Sequence, residues 1–349
     1  RLPEPKDLGF AQLHASIGRW RWPSVATIAD LTLRYEFDVV NIQYQAAAYN
    51  MKSPAVNLLP WRLKHITKTI DTFHDLRTPY LFPKVGPLRK KAVMFMARQA
   101  AGNIVTNNAD FEKLKTEVNN PLTTIPIGSN IGVYQPNHVE LDEVREKLGL
   151  QSGDVLLGYF GFVNESKGAD ILVQALAQLP PEYHLVFIGG QTGASDDTNE
   201  AFAAQVREMV QNHNLSDRVH RTGFMADDRV STFLKATDLM VMPYRDGVSL
   251  RRGTLMATLA QGCALVTTTP PAAVPELVQG ENVWLVPAED ADTLSEAIVS
   301  LMQNPELRMK LGLGAEKVAG NFSWEEIARR TVEFYRSIED PREKGAPRE

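Results

Sequence analysis

The chain of 349 residues carries 37 Lys and Arg against 42 Asp and Glu, a formal net charge of -5, with 44% hydrophobic and 23% charged residues. That balance describes a globular protein long enough for two domains and argues against a general nucleic-acid surface. A single cysteine, Cys263, excludes an internal disulfide framework and points to a reducing cytoplasm, and no apolar run reaches the roughly 18 residues of a membrane span.

In chain order, residues 24–37 have apolar side chains at helical spacing behind Ser24, a candidate N-cap. Residues 38–44 read as a strand, 58–68 as a helix and 69–73 as a strand ending in His74 and Asp75. Three prolines make 76–87 a loop. An amphipathic helix over 88–101 carries Arg89, Lys90, Lys91 and Arg98. It is followed by a strand (102–107), a helix (109–118, with Asn108 as cap) and a strand (122–127). The first half thus offers four strands alternating with helices, the pattern of a parallel sheet.

The polar, turn-rich stretch 128–153 is the expected domain junction. Beyond it, strands are predicted at 155–160, 184–189, 219–222, 239–243, 264–268 and 283–286, enough for a complete doubly wound domain. Helices are expected at 169–179 and 292–302, with a last one from the Ser323 capping box to about 338, and a frayed tail after it. The fold class is therefore α/β, with domains at 1–135 and 150–321 and a terminal helix over 323–338 that returns to the first domain.

Two places have the chemistry of an anion site. Arg251 and Arg252 stand in the loop after the strand 239–243, just before a helix that ends at Gly262, a residue suited to left-handed backbone. Cations there oppose the helix dipole unless an anion joins them. The turn 161–168 repeats the design: Gly161 follows a strand, and Lys167 and Gly168 precede a helix. Either cation alone reads equally well as a solvated surface charge; the pair suits a diphosphate, with Lys167 as a point charge and an arginine as a fork. No Walker or dinucleotide glycine pattern is present, and the seven histidines show no metal-ligand spacing, so no metal is expected. In the first half, His74 and Asp75 at a strand end, with Arg77 close by, could meet a hydroxyl-rich ligand; local backbone partners for the histidine are the alternative.

These residues resemble a known family. The turn 161–168, TTTPPAAVPELV, VWLVPAED and the Ser323-Trp324 helix are similar to the nucleotide-sugar domain of GT-B glycosyltransferases of the group 1 type, or family 4. DVVNIQYQ, TFHDLR, NIVTNNAD and IPIGSNI resemble the acceptor domain of the same proteins. The resemblance implies two Rossmann-like domains, the first lacking its opening strand and glycine-rich loop, as Arg1 in place of a methionine also indicates. Transfer and stability of the first half are expected to suffer for it. The chain departs from the family pattern in having Phe162 where an arginine is usual, and Ser249 and Ala257 at the positions of two glutamates, as in a variant subgroup.

What the resemblance implies is sugar transfer from a nucleoside diphosphate sugar with retention, without metal or other cofactor. The donor would meet Gly161, Lys167, Ser249, Arg251, Arg252 and Glu276; His74 would be catalytic; Asp75, Arg77, Asn107, Ser129 and Asn130 would line the acceptor side. The acceptor would be a carbohydrate or lipid-linked, nucleic acid is not a partner, and the enzyme would be cytoplasmic. From its residues, the basic segment 84–98, with Phe82, Met94, Phe95 and Met96, could touch an anionic inner membrane face; an ordinary amphipathic core helix is the alternative. A catalytically silent nucleotide-sugar-binding protein and a sugar-nucleotide epimerase are the alternatives, since fold does not fix chemistry.

Overall fold

A computed structural model describes residues 4–49, 53–76, 86–190 and 197–338. Arg77, most of the proline-rich loop and the tail lie outside them. The chain forms two compact units, Arg1–Pro126 with Ala328–Glu349, and Ile127–Ile327. The division falls upstream of the 128–153 stretch.

In the first unit, a short antiparallel hairpin, β1 (Lys6–Asp7) and β2 (Gln12–Leu13), precedes α1 (Trp22–Tyr35), β3 (Val39–Tyr44), α2 (Leu59–Leu63), β4 (Lys68–Phe73), α3 (Gly86–Gln99), β5 (Gly102–Val105), α4 (Asn108–Lys115) and β6 (Leu122–Thr124). The hairpin is not foreseen in the sequence, and α2 is a single turn where a longer helix is expected. Strands β3 to β6 form a parallel sheet in chain order. One face packs Ile42, Tyr44, Phe73 and Val105 against the helices. Two caps differ from expectation. The N-cap of α1 is Arg21, with Ser24 Oγ accepting from its backbone N–H at 3.2 Å. That of α4 is Asn107, one residue before the predicted Asn108, because the Asn107 side chain reaches the Asp110 N–H at 2.9 Å.

The second unit contains α5 (His138–Lys147), β7 (Val155–Phe160), α6 (Ala169–Gln178), β8 (Tyr183–Ile188), α7 (Asp197–Asn212), β9 (Val219–Arg221), α8 (Asp227–Ala236), β10 (Leu239–Met242), α9 (Gly253–Ala260), β11 (Leu265–Thr268), β12 (Trp284–Val286), α10 (Ala291–Met302) and α11 (Pro305–Ala319). Its six parallel strands run β12-β11-β10-β7-β8-β9. Helices cover both faces, so the central strands read as near-continuous apolar runs. Leu157 and Tyr159 join one core with Leu172 and Ile298, while Leu156 joins the other with Leu234 and Leu255. Strand order reverses between β10 and β7, and ligands of such sheets bind beyond the strands' carboxyl ends at that point.

The last helix, α12 (Trp324–Ile338), carries residues of the first unit from Ala328 onward. Arg330 donates to the Thr124 carbonyl at 2.6 Å, Asn41 donates to the Tyr335 hydroxyl, and Ile338 and Phe334 lie against Gly102. They cover the sheet face opposite the one that packs on α1 to α4.

Candidate functional site

The loops after β7 and β10, on either side of the strand reversal, meet in the second unit. Gly168 takes φ 66°, and a β-carbon there would collide with the Pro243 carbonyl. Only glycine allows this close approach with left-handed backbone. The Arg245 backbone N–H donates to the Ser166 carbonyl at 3.0 Å, and its guanidinium bridges Asp170 and Glu289. These contacts fasten one loop to the other.

Between them the structure gathers cations. Gly161 has φ 108°; the ammonium of Lys167 and the Cγ2 of Thr254 each lie 2.7 Å from where its β-carbon would stand. A side chain at 161 would fill this space. Arg252, the N-cap of α9, lays its guanidinium 4.0 Å over the Tyr244 ring and pairs with Asp246. Its Nε is buried and has no hydrogen-bond partner among the described residues. Burial first, and the charge of Arg252 second, push Lys167 down from 10.5 to about 8. Two cations held this close, one with an unused N–H, stand at the starts of α6 and α9, where the helix dipoles suit an anion.

The other donor-side candidates divide. Ser249 Oγ lies 3.4 Å from both the backbone N and the Nε of Arg251. Glu276 sits in the loop after β11, with Oε2 buried and without a partner among the described residues, and no hydrogen bond or ion pair there joins it to Lys167 or Arg252. Phe162 is half exposed, its ring centroid 6.0 Å from the Lys167 ammonium. Ala257 is fully buried in the core. Sequence reasoning does not reach Thr254, Tyr244 or Arg245; the aromatic and arginine in the Pro243-Tyr244-Arg245 run are the only hint it holds.

In the first unit, His74 Nε2 lies 2.8 Å from Gln43 Oε1, and burial lowers the imidazole below its ordinary 6.5. Asp75 is half-buried beside it. Asn107 caps α4, its side chain donating to the Asp110 carboxylate and accepting from the Asp110 N–H. Ser129 and Asn130 belong to the second unit: the Ser129 hydroxyl closes on Ile131, its carbonyl accepts from Trp324 Nε1 at 2.7 Å, and Asn130 is exposed. Among the described residues no group of three His, Cys, Asp or Glu side chains is arranged to hold a metal ion, and no helix is long and apolar enough to cross a membrane.

Comparison with known proteins bears on the family and the fold. Residues 141–318 match the family described as "Glycosyl transferases group 1". The lipopolysaccharide core biosynthesis mannosyltransferase LpsB of Rhizobium meliloti (strain 1021) is 29% identical over 226 residues, 62% of this chain and 61% of that protein. The D-inositol 3-phosphate glycosyltransferase of Xylanimonas cellulosilytica is 29% identical over 223 residues, 60% of this chain and 50% of that one. The chain thus spans about half to three fifths of these relatives' length. Among solved structures, Anabaena HepE in complex with UDP superposes with a TM-score of 0.75 at 19% identity, covering 90% of this chain and 82% of that one. Sucrose-phosphate synthase from Thermosynechococcus elongatus gives 0.71 at 21%, covering 91% and 78%. Two Rossmann-like units of the GT-B type, with the family match lying across the unit that holds Lys167 and Arg252, place this chain in the group 1 glycosyl transferase family.

Proposed function

We propose that this protein transfers a sugar from a nucleoside diphosphate sugar to an acceptor hydroxyl, with retention at the anomeric carbon. The observation that carries the reading is the pair of close cations, Lys167 and Arg252, at the strand reversal of the second unit. In the reaction the bond from the sugar's anomeric carbon to the β-phosphate oxygen breaks and the acceptor oxygen forms the new one. The acceptor's proton passes to the departing diphosphate. Lys167, Arg252 and the N–H groups opening α6 and α9 would stabilise the charge that develops on that leaving group. His74 is the candidate catalytic residue at the transferred sugar, and the chemistry asks for no metal or protein nucleophile. HepE, a structural neighbour, was solved with UDP and with UDP-glucose, which makes UDP the first nucleotide to try.

For the acceptor we propose a carbohydrate, free or lipid-linked, and for the enzyme a cytoplasmic place with peripheral contact at the inner membrane face. On α3, Leu88 and Phe95 are exposed two turns apart, beside the basic side chains of Arg89, Lys90 and Lys91.

Isothermal titration of the full chain with UDP, GDP and ADP tests the Lys167–Arg252 pair. Lys167→Ala and Arg252→Ala should each weaken binding of the preferred nucleotide about ten- to a hundredfold, the loss of one charge-assisted hydrogen bond. Unchanged affinity in both variants would refute the assignment. Release of nucleoside diphosphate from its sugar only when a free or lipid-linked carbohydrate is added separates transfer from silent binding and from epimerisation.

A further inference from the structure

We infer that Gln43 is a positioning residue that fixes which imidazole nitrogen of His74 works, by holding the ring proton on Nε2 and leaving the lone pair on Nδ1. This rests on the reading of His74 as the catalytic residue.

The backbone sets the pair up before the side chains meet. Gln43 stands opposite Thr72 in the β3–β4 register, so Gln43, Thr72 and the next alternate position, His74, share one face of the sheet. The His74 N–H donates to the Tyr44 carbonyl at 3.0 Å, and the His74 carbonyl accepts from the Thr106 hydroxyl at 3.3 Å. The Tyr49 hydroxyl donates to the Gln43 carbonyl at 2.8 Å. Both residues are therefore anchored through their main chains on two neighbouring strands. Their side chains then meet at 2.8 Å through His74 Nε2 and the amide oxygen of Gln43, the one hydrogen bond of this ring among the described residues.

A neutral imidazole has a single N–H, and the acceptor it faces decides where that proton sits. Burial keeps His74 neutral near pH 7. With the Gln43 amide oxygen, which only accepts, facing it, Nε2 is the donor in this arrangement and Nδ1 keeps the lone pair. That nitrogen can accept a hydrogen bond or a proton from a sugar or acceptor hydroxyl and return it later. Gln43 has no proton to exchange under these conditions, so it acts only through His74.

The test reads the tautomer independently of turnover. Long-range 15N–1H correlation spectra of the full chain, with His74 assigned by its loss in His74→Gln, should show the Nε2–H form in the wild type and a shift toward mixed tautomers in Gln43→Leu. Turnover by Gln43→Leu should fall on the order of a hundredfold, the scale of general acid–base catalysis, with donor KM little changed. Gln43→Glu keeps the acceptor geometry and adds a negative charge. It should restore much of the turnover and move the acid limb of the pH–rate profile up by about one unit. An Nδ1–H tautomer in the wild type, or an unaltered tautomer in Gln43→Leu, would overturn the inference. Wild-type kcat in His74→Ala would instead overturn the catalytic reading of His74 and leave the tautomer result intact, so the two failures are told apart.

Discussion

Lys167 titrates at about 8 because burial and the neighbouring Arg252 both disfavour its charged form. A diphosphate bound between them replaces repulsion by attraction, so the bound lysine holds its proton to higher pH. Above pH 8 the free protein has lost that proton and binding must restore it. UDP affinity should then fall by up to about tenfold per pH unit, and titration calorimetry in buffers of different ionisation enthalpy should record uptake of a proton. Affinity that stays flat from pH 7 to 9.5 would contradict this. For folding the sign is the reverse: the unfolded chain carries the extra proton between about 8 and 10.5, so the second unit gains stability as pH rises through that window and loses it as pH falls back through 8. Lys167 and Arg252 stand out in the sequence because a cation ahead of a helix is a local anomaly that asks for an anion. Thr254 and Tyr244 are not, since their part depends on a loop folding back over a distant strand. Asp71 is equally silent. In KTIDTF it looks like an ordinary polar residue, yet it is fully buried without a hydrogen-bond partner among the described residues, and burial pushes its carboxyl well above the usual range.

At the level of elements, the strands of the second unit show themselves as short apolar runs between turns, and the six predicted segments match the six observed within a residue at either end. Helix α11 does not show itself, although Asn304 caps it and Pro305 opens it. Gly312 and Gly314 dilute its helical signal, and packing is the reason they are there: a β-carbon at Gly314 would collide with the Glu281 carbonyl, and one at Gly312 would come within 2.5 Å of the Gly262 carbonyl. Helix propensity alone makes Gly314→Ala stabilising by about 1 kcal/mol. The contact with rigid backbone makes it destabilising by about 1–3 kcal/mol, and we expect the contact to win. Urea unfolding of the variant decides; a raised midpoint would show that the neighbouring loop yields.

For the whole molecule, the sheet of the first unit depends on residues from the far end of the sequence. Ending the chain after Ile327 removes Tyr335, Phe334, Ile338 and Arg330 from its covered face. Such a chain should retain UDP affinity, because Lys167 and Arg252 lie in Ile127–Ile327, while limited proteolysis should reach residues 4–126 far faster than in the full chain. Loss of UDP binding on this truncation would place part of the nucleotide site outside the second unit. Trp324 donates to the Ser129 carbonyl, and Gly128 lies against Ile327, so the entry and exit of the second unit touch. It follows that the ribosome delivers this protein out of spatial order. The second unit is contiguous and has every one of its residues once Ile327 has emerged, whereas the first, begun earlier, waits about two hundred residues for α12. During that interval its half-covered sheet is the surface a chaperone would have to shield.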